Sequence, residues 1–414
     1  MKFEKYEIDP QIKENLIANG FHRTTDIQFK TIPAILNGED VLAVAQTGSG
    51  KTAAFAIPII HQVLVDQQRR RSKGIYCLVL VPTRELAQQI GRVFSMLSKK
   101  TGATSYAVYG GVEQDAQIAQ LVGGVDILVA TPGRMFDLIR QNYIDINFVR
   151  TLVLDEADRM LDMGFIGDIE AVKSRLNQRH QTLFFSATIN PKIKKLAYSQ
   201  IRASALRIQV SPSEMVSKNI THSIVKVDMD DKRHLLIRFL QMNPEGKVII
   251  FVRTQVRAER VAAWLTKNEI GSVSMHGGME QPEREKQLAI FRDQPTGVLI
   301  ATDVSARGID LPGITHVVNY DLPDDPENYV HRIGRTGRGF AKGKAVSFWS
   351  PEETDKLADI EELLQTKLHE EKVDQSLFQP VSVKPIENMS MEELLESAGA
   401  NFEGGKKRGK KHKK

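Results

Sequence analysis

Short runs of Val, Ile and Leu, four to six residues long, recur along this chain with longer stretches of helical period between them. A continuously apolar strand needs cover on both faces. Parallel sheets packed between helices provide that cover, whereas all-β chains alternate polar and apolar residues. The first set of runs is DVLAVA (40–45), YCLVLV (76–81), SYAVY (105–109), DILVA (126–130), TLVL (151–154) and TLFFS (182–186). The second is KVIIFV (247–252), SVSMH (272–276), GVLIA (297–301), HVVNY (316–320) and AVSFW (345–349). Two sets imply two sheets, and 414 residues exceed the ~250–300 at which a single core stops growing. The expected class is α/β, with two tandem domains that each carry a mostly parallel sheet flanked by helices.

The polar stretch SPSEMVSK at 211–218 reads as a linker, which gives domains at 1–210 and 219–378 and a tail at 379–414. After Trp349, the spacing of Leu357, Ile360, Leu364 and Leu368 predicts a last helix packed on the second sheet. The tail is thin in large apolar residues, with an acidic stretch, MEELLES (391–397), ahead of a basic one. Disorder is expected there. Its final nine residues, KKRGKKHKK, carry seven Lys and Arg and no acid, so the net charge of +5 becomes −2 without them. A nucleic-acid surface on the body must then be a local groove rather than a globally basic face, and the tail is expected to act as an electrostatic tether for nucleic acid.

At 41% hydrophobic and 26% charged, the composition excludes disordered, collagenous and disulfide-framework classes. The lone Cys77, in YCLVLV, reads as a buried thiol that makes no internal disulfide, and a cytoplasmic protein is expected. The opening MKFEKYEIDPQ lacks a secretory apolar core. The run AAFAIPII (53–60) is eight residues against the ~18 of a membrane span, so no membrane partner is expected.

Chemistry enters with AQTGSGKT at 45–52, between a strand and a helical run. In such a loop, glycines at 48 and 50 let backbone N–H groups face phosphates. Lys51 reaches the outer phosphate oxygens, and the Thr52 hydroxyl can ligate magnesium. The carboxylate that a metal-assisted NTPase also needs is Asp155, at the end of TLVL, and Glu156 beside it is placed to orient or deprotonate water. In the second half, HRIGRTGR (331–338) holds three arginines in eight residues. Read alone it is a solvated basic turn, but an arginine arriving from another domain is also a recurrent means of stabilising charge on a γ-phosphate.

Together with PTRELAQQ (82–89), YGG (109–111), TPGR (131–134), DEAD (155–158), SAT (186–188), FVRT (251–254), QPER (281–284) and ATDVSARGID (301–310), these elements resemble the DEAD-box ATP-dependent RNA helicases over about residues 3–350. The string DEADRMLDMGF resembles the bacterial RhlE-like branch of that family. The resemblance implies two RecA-like domains closing over Mg·ATP and a single RNA strand, to unwind short duplexes or remodel RNA–protein complexes. The alternatives are an ATP-gated RNA clamp without productive turnover, and a DNA-directed motor.

The resemblance also implies roles for single residues. Thr47, Gly48, Ser49, Gly50, Lys51 and Thr52 would cradle the nucleotide, with Thr52 and Asp155 on magnesium. Gln28 would read the adenine edge, Phe21 would stack on the base, and Phe3 matches the isolated upstream aromatic. Thr24 and Asp26 stand where the family usually has prolines, which implies a looser loop. Asp310 would contact ribose, and Arg335 and Arg338 would be the arginine fingers. Asp158, Ser186, Thr188 and His331 would couple the domains. Arg84, Gly110, Gly111, Thr131, Gly133, Arg134, Gly277, Arg284 and Thr302 would hold the backbone of single-stranded or short duplex RNA with little sequence preference. A monomeric catalytic unit working with ribosome-assembly or RNA-decay complexes is expected.

Without the family, Gln28 reads as a surface glutamine and Phe21 as a staple for the following helix. The run RRR (69–71) reads as a solvated loop, Trp264 as core, and Met160 and Met163 as packing residues. No Cys or His spacing suggests zinc.

Overall fold

The computed structural model describes residues 1–372 except 46, 47, 70–73, 177, 210–215, 307, 308, 310 and 338–340. The expected linker and tail therefore lie largely or wholly outside the described residues, as do Thr47, Asp310, Arg338 and most of the RRR run.

Two seven-stranded parallel sheets carry the chain. The first consists of β1 (Val41–Val44), β2 (Cys77–Leu80), β3 (Ser105–Val108), β4 (Ile127–Ala130), β5 (Thr151–Leu154), β6 (Gln181–Ser186) and β7 (Leu206–Gln209), in the order β3-β4-β2-β5-β6-β1-β7. The second consists of β8 (Ile220–Lys226), β9 (Lys247–Phe251), β10 (Val273–Met275), β11 (Gly297–Ala301), β12 (His316–Asn319), β13 (Gly343–Trp349) and β14 (His369–Glu370), in the order β10-β11-β9-β12-β13-β8-β14. When each second-half strand is matched to its counterpart seven places earlier, the two orders are identical. The same unit is built twice.

Every residue of β1, β2, β4, β5, β6 and β9 is buried, as apolar runs covered on both faces must be. Two apolar clusters cover the first sheet, one on each face. Cys77 lies in one of them, with its thiol pKa pushed well above the usual range by burial. Three strands have no counterpart among the expected runs. β7 and β14 are edge strands with exposed residues, and β8, ITHSIVK, mixes Thr, His and Ser into its apolar residues. The last helix forms as Thr354–Leu364, and Leu368 lies beyond it but still packs into the second core. Trp264 is only half-buried and stacks under Arg233, so it rims the core instead of filling it. Met160 is buried while Met163, three residues on, is 44% exposed. Among the described residues, no helix is long and apolar enough to cross a membrane.

Candidate functional site

Parallel strands present all their carboxyl ends at one edge, and here that edge is sorted. The loops after the adjacent strands β5, β6 and β1 hold Asp155–Asp158, Ser186–Thr188 and Gly48–Thr52. The loops after β3, β4 and β2 hold Gly110–Gly111, Thr131–Arg134 and Arg84. Phosphate-loop and carboxylate residues thus share one half of the edge, and the small, hydroxyl and cationic residues share the other.

The phosphate loop turns through Gly48 and Gly50, at φ +85° and +92°, a region that L side chains rarely enter. Lys51 opens the helix Lys51–Arg69. It is buried and donates from Nζ to the Ala45 carbonyl at 2.7 Å, next to Asp155. Burial pushes the Asp155 carboxyl up to about 6, with Glu156 and Asp158 adding to the rise and Lys51 opposing it. A buried carboxylate raised in this way is short of positive charge, and a divalent cation would supply it. Thr52, in the first turn of the helix, and Asp155 are therefore a chemically fitting pair for magnesium. Glu156 takes the left-handed conformation, φ 51° and ψ 48°, and its carboxylate meets Arg159 Nη1 at 3.1 Å. A non-glycine residue held in this region stores backbone strain, and such residues cluster at functional sites.

Gln28 is buried, not a surface residue. Its Oε1 accepts from the Thr25 N–H at 3.0 Å in a capping box, and its Nε2 donates to the Gly50 carbonyl at 3.1 Å. A Cβ on Gly50 would lie 2.6 Å from that Nε2, so only glycine lets the glutamine support the loop. The loop that Thr24 and Asp26 were expected to loosen is held instead. Thr24 donates to the Met1 carbonyl from N (2.9 Å) and Oγ1 (3.2 Å), and Lys2 bridges to Arg23. Phe3 is buried in the apolar core beside Tyr6, and Phe21 is half-buried against that core.

Asp158 joins neighbouring loops. Its Oδ2 accepts from the backbone N–H groups of Ala187 (3.0 Å) and Thr188 (3.1 Å) and from the Thr188 hydroxyl (3.2 Å). Ser186 does not reach Asp158. Its hydroxyl donates to the Thr188 carbonyl at 2.8 Å and so shapes the loop that holds Thr188. From the second lobe, Glu327 hydrogen-bonds Thr188, and its carboxyl is raised by burial and then by Asp325, Asp158 and Asp162. Sequence reasoning missed Glu327, four residues before His331 on the helix Pro326–Ile333. That helical spacing from a flagged residue was the available signal.

Arg335 is buried, donates from Nη1 to the Ile309 carbonyl at 2.9 Å, and lines a small cavity with Glu156, Asp158 and His331. Arg332 in the same cluster turns inward. It grips Asp303 through two contacts of 2.6 and 2.7 Å, donates to the Asp321 carbonyl and lies over the Phe251 ring.

On the other half of the edge, Arg84 lies across Gly110 and Gly111, and a Cβ on Gly111 would fall 1.7 Å from its guanidinium. Thr131 occupies the N-cap position of the helix Pro132–Arg140 without a side-chain capping bond, Gly133 is exposed, and Arg134 braces the preceding loop through Gln117 Oε1 (3.1 Å) and the Val112 carbonyl (2.9 Å). In the second lobe, Gly277 has open space where a Cβ would stand. Thr302 is buried against Ser305 with its hydroxyl engaged, while Arg284 meets Glu85 of the first lobe at 3.1 Å and the Ser305 carbonyl at 2.8 Å.

Comparison with known proteins agrees with this geometry. The model for "DEAD/DEAH box helicase" matches residues 25–196, and that for "Helicase conserved C-terminal domain" matches residues 231–339. The ATP-dependent RNA helicase CshA of Listeria monocytogenes is 40% identical over 367 residues, which is 89% of this chain and 69% of that protein. The DEAD-box ATP-dependent RNA helicase CshA of Bacillus subtilis is 38% identical, over 88% of this chain and 73% of its own length. Among solved structures, S. cerevisiae Dbp5 bound to RNA and ADP BeF3 superposes with a TM-score of 0.80 at 30% identity, covering 91% of this chain and 96% of that one. A DEAD box protein from Methanococcus jannaschii gives 0.54 at 36% identity, covering 90% and 99%. Two sheets of one topology, a phosphate loop opposite a buried aspartate, and relatives matched over nearly nine-tenths of the sequence make this chain a member of the DEAD/DEAH box helicase family.

Proposed function

We propose that the protein is an ATP-dependent RNA helicase that couples RNA-stimulated ATP hydrolysis to closure of its two lobes, and so opens short duplexes or remodels RNA–protein complexes. The observation that carries this reading is the sorted edge of the first sheet, where a nucleotide site and a polyanion site share one rigid scaffold and the second lobe faces the first. The superposition supports it. The chain superposes on the RNA- and ADP BeF3-bound Dbp5 with a TM-score of 0.80 over 91% of its length, which supports a reading with both ligands.

In this reading the loop from Gly48 to Thr52 wraps the phosphates, and Lys51 neutralises charge on the outer ones. Thr52 and Asp155 would hold magnesium, which supplies charge neutralisation on the phosphate oxygens. Glu156 orients and deprotonates the attacking water, and Gln28 carries adenine recognition to the Gly50 backbone. Arg335 swings from the Ile309 carbonyl to the γ-phosphate when the lobes complete the site, with Arg338 as its expected companion and Asp310 on the ribose. Asp158, Thr188, Glu327 and His331 report closure to the catalytic loop. Arg84, Gly110, Gly111, Thr131, Gly133 and Arg134 hold RNA on the first lobe. Gly277, Arg284 and Thr302 do so on the second, once Arg284 exchanges Glu85 for phosphate.

Multiple-turnover ATPase assays with matched RNA and DNA strands test the reading. Strong stimulation by RNA alone is expected, since the 2′-hydroxyl is the discriminating group. Equal stimulation by DNA would turn the assignment to a DNA-directed motor, and a single turnover that then stalls would turn it to a clamp.

A further inference from the structure

A large groove on the first lobe lies outside the site described so far. It measures about 1110 Å³ and runs between the helix Pro10–Ala18, the helix Arg84–Leu97 and the edge strand β3. Arg84, Gln88, Arg92, Ser95 and Lys99 follow one another at steps of three or four residues, so they form one stripe along the second helix and its end. The stripe begins at the arginine that lies over Gly110 and Gly111. Gln88 donates to the Tyr109 hydroxyl at 2.8 Å, and Tyr109 immediately precedes Gly110, so the groove opens directly from the proposed RNA loops.

Its charge is one-sided. Arg92, Lys99 and Lys100 are exposed and make no ion pair among the described residues. The one lining acid, Glu14, is already engaged by Gln11 Nε2 at 3.0 Å. The wall is fixed in place. Asn15 donates to the carbonyls of Leu97 (2.8 Å) and Lys99 (2.7 Å), which anchors the end of the stripe to the first helix. Gly91 allows close packing on β3, since a Cβ there would stand 3.0 Å from the Ala107 Cβ.

We propose that this groove is a track for the sugar–phosphate backbone of RNA flanking the core site. The proposal rests on the RNA-helicase reading and extends its polyanion site along the first lobe. From Arg84 to Lys99 the helical rise covers about 22 Å, which at ~3.4 Å per stacked nucleotide accommodates about six further nucleotides. Phosphates meet the three cations, amide and hydroxyl groups line the path between them, and Tyr109 offers a ring at its mouth.

The test compares oligouridylates of about six and about fourteen nucleotides, long enough respectively for the core alone and for core plus track. The charge-reversed protein Arg92→Glu/Lys99→Glu/Lys100→Glu and its neutral form Arg92→Gln/Lys99→Gln/Lys100→Gln are titrated beside the wild type at two salt concentrations. The expected result is affinity for the longer strand reduced at least ~10-fold in the reversed protein, with the shorter strand unaffected. The salt dependence for the longer strand flattens by up to ~2, three contacts at ~0.7 each, and the neutral form falls between. Equal losses on both strands, or none on either, overturn the track. An unchanged length dependence would leave the edge of β3 to a protein partner instead. A wild-type protein that binds neither strand would sink the RNA reading itself, a failure separate from any change in length dependence.

Discussion

At the carboxyl end of the corresponding strand in each lobe a buried lysine opens a helix, Lys51 after β1 and Lys232 after β8, and the two are used in opposite ways. Lys51 follows a glycine-rich loop, and its Nζ donates to a neutral carbonyl. Lys232 follows VDMDD, which has three acids and no glycine. Its Nζ donates to Glu353 Oε2 at 2.6 Å and to the Tyr320 carbonyl at 2.9 Å, both partners fully or nearly fully buried. Glu353 also accepts from Arg253 Nη2 at 3.0 Å and from the Leu322 N–H at 3.2 Å. Burial lowers the Lys232 pKa, and Glu353 acts against that shift. A buried ammonium requires an anion. The second lobe supplies a hydrogen-bonded carboxylate of its own, while the first sets Lys51 near Asp155 but bonds its Nζ to a carbonyl, which on the proposed function leaves it to turn to the outer phosphates. One topology thus yields the proposed nucleotide site in one copy and a closed structural network in the other.

The largest effect should come from breaking the division of labour between the lobes. Arg335→Ala should remove most RNA stimulation, a loss of roughly 10³ to 10⁵ in rate or about 4–7 kcal/mol, while ATP affinity stays nearly intact. Steady-state ATPase with and without RNA checks this, and full stimulation of the mutant would take Arg335 out of the mechanism. On the first lobe, Glu156→Gln should bind ATP and RNA yet nearly cease turnover. Hydrolysis at the wild-type rate would refute its assignment as the base.

Next comes the pair of lysines. Glu353→Ala leaves Lys232 buried and uncompensated and should cost about 3–5 kcal/mol of second-lobe stability, read by chemical denaturation. A Lys232→Met/Glu353→Leu double variant should recover much of that loss. Lys51→Ala should barely change stability but should weaken ATP binding, as read by a fluorescent nucleotide. If both lysine sites respond alike, the contrast between the lobes is wrong.

The smallest effect concerns the contact between lobes. Because the folded protein raises the Glu327 pKa, it favours the protonated acid. That contribution is complete below the ordinary carboxylate range and is lost as pH rises through the raised value. Glu327→Gln should therefore raise Tm at neutral pH, with the advantage shrinking as the pH falls. A benefit independent of pH would point to packing rather than charge.

Most strands that were readable in advance are buried on both faces, where local composition and final environment coincide; β3 and β10, half-buried at sheet edges, were readable from composition alone. β7 and β14 sit at sheet edges, and β8 carries polar residues that only its neighbours β13 and β14 account for, so no local pattern marked them. The nucleotide loop and the DEAD segment were equally plain because their chemistry lies within a few consecutive residues. The partners of Gln28, Phe3 and Ser186 had no local signature, since the fold brings each of them in.

The order of apolar runs, the phosphate loop and the acidic turn after β5 follow from the chain read residue by residue, because hydrogen bonding, backbone freedom and helix period act over a few positions. Only the tertiary structure sorted two kinds of loop onto two halves of one sheet edge, turned Arg332 inward while leaving Arg335 beside Glu156, and set a cationic stripe in a groove that opens from Gly110. It alone also joined Lys232 to Glu353 across 121 residues. Desolvation and charge pairing are decided by whatever fills the surrounding volume, and residues distant in sequence fill it.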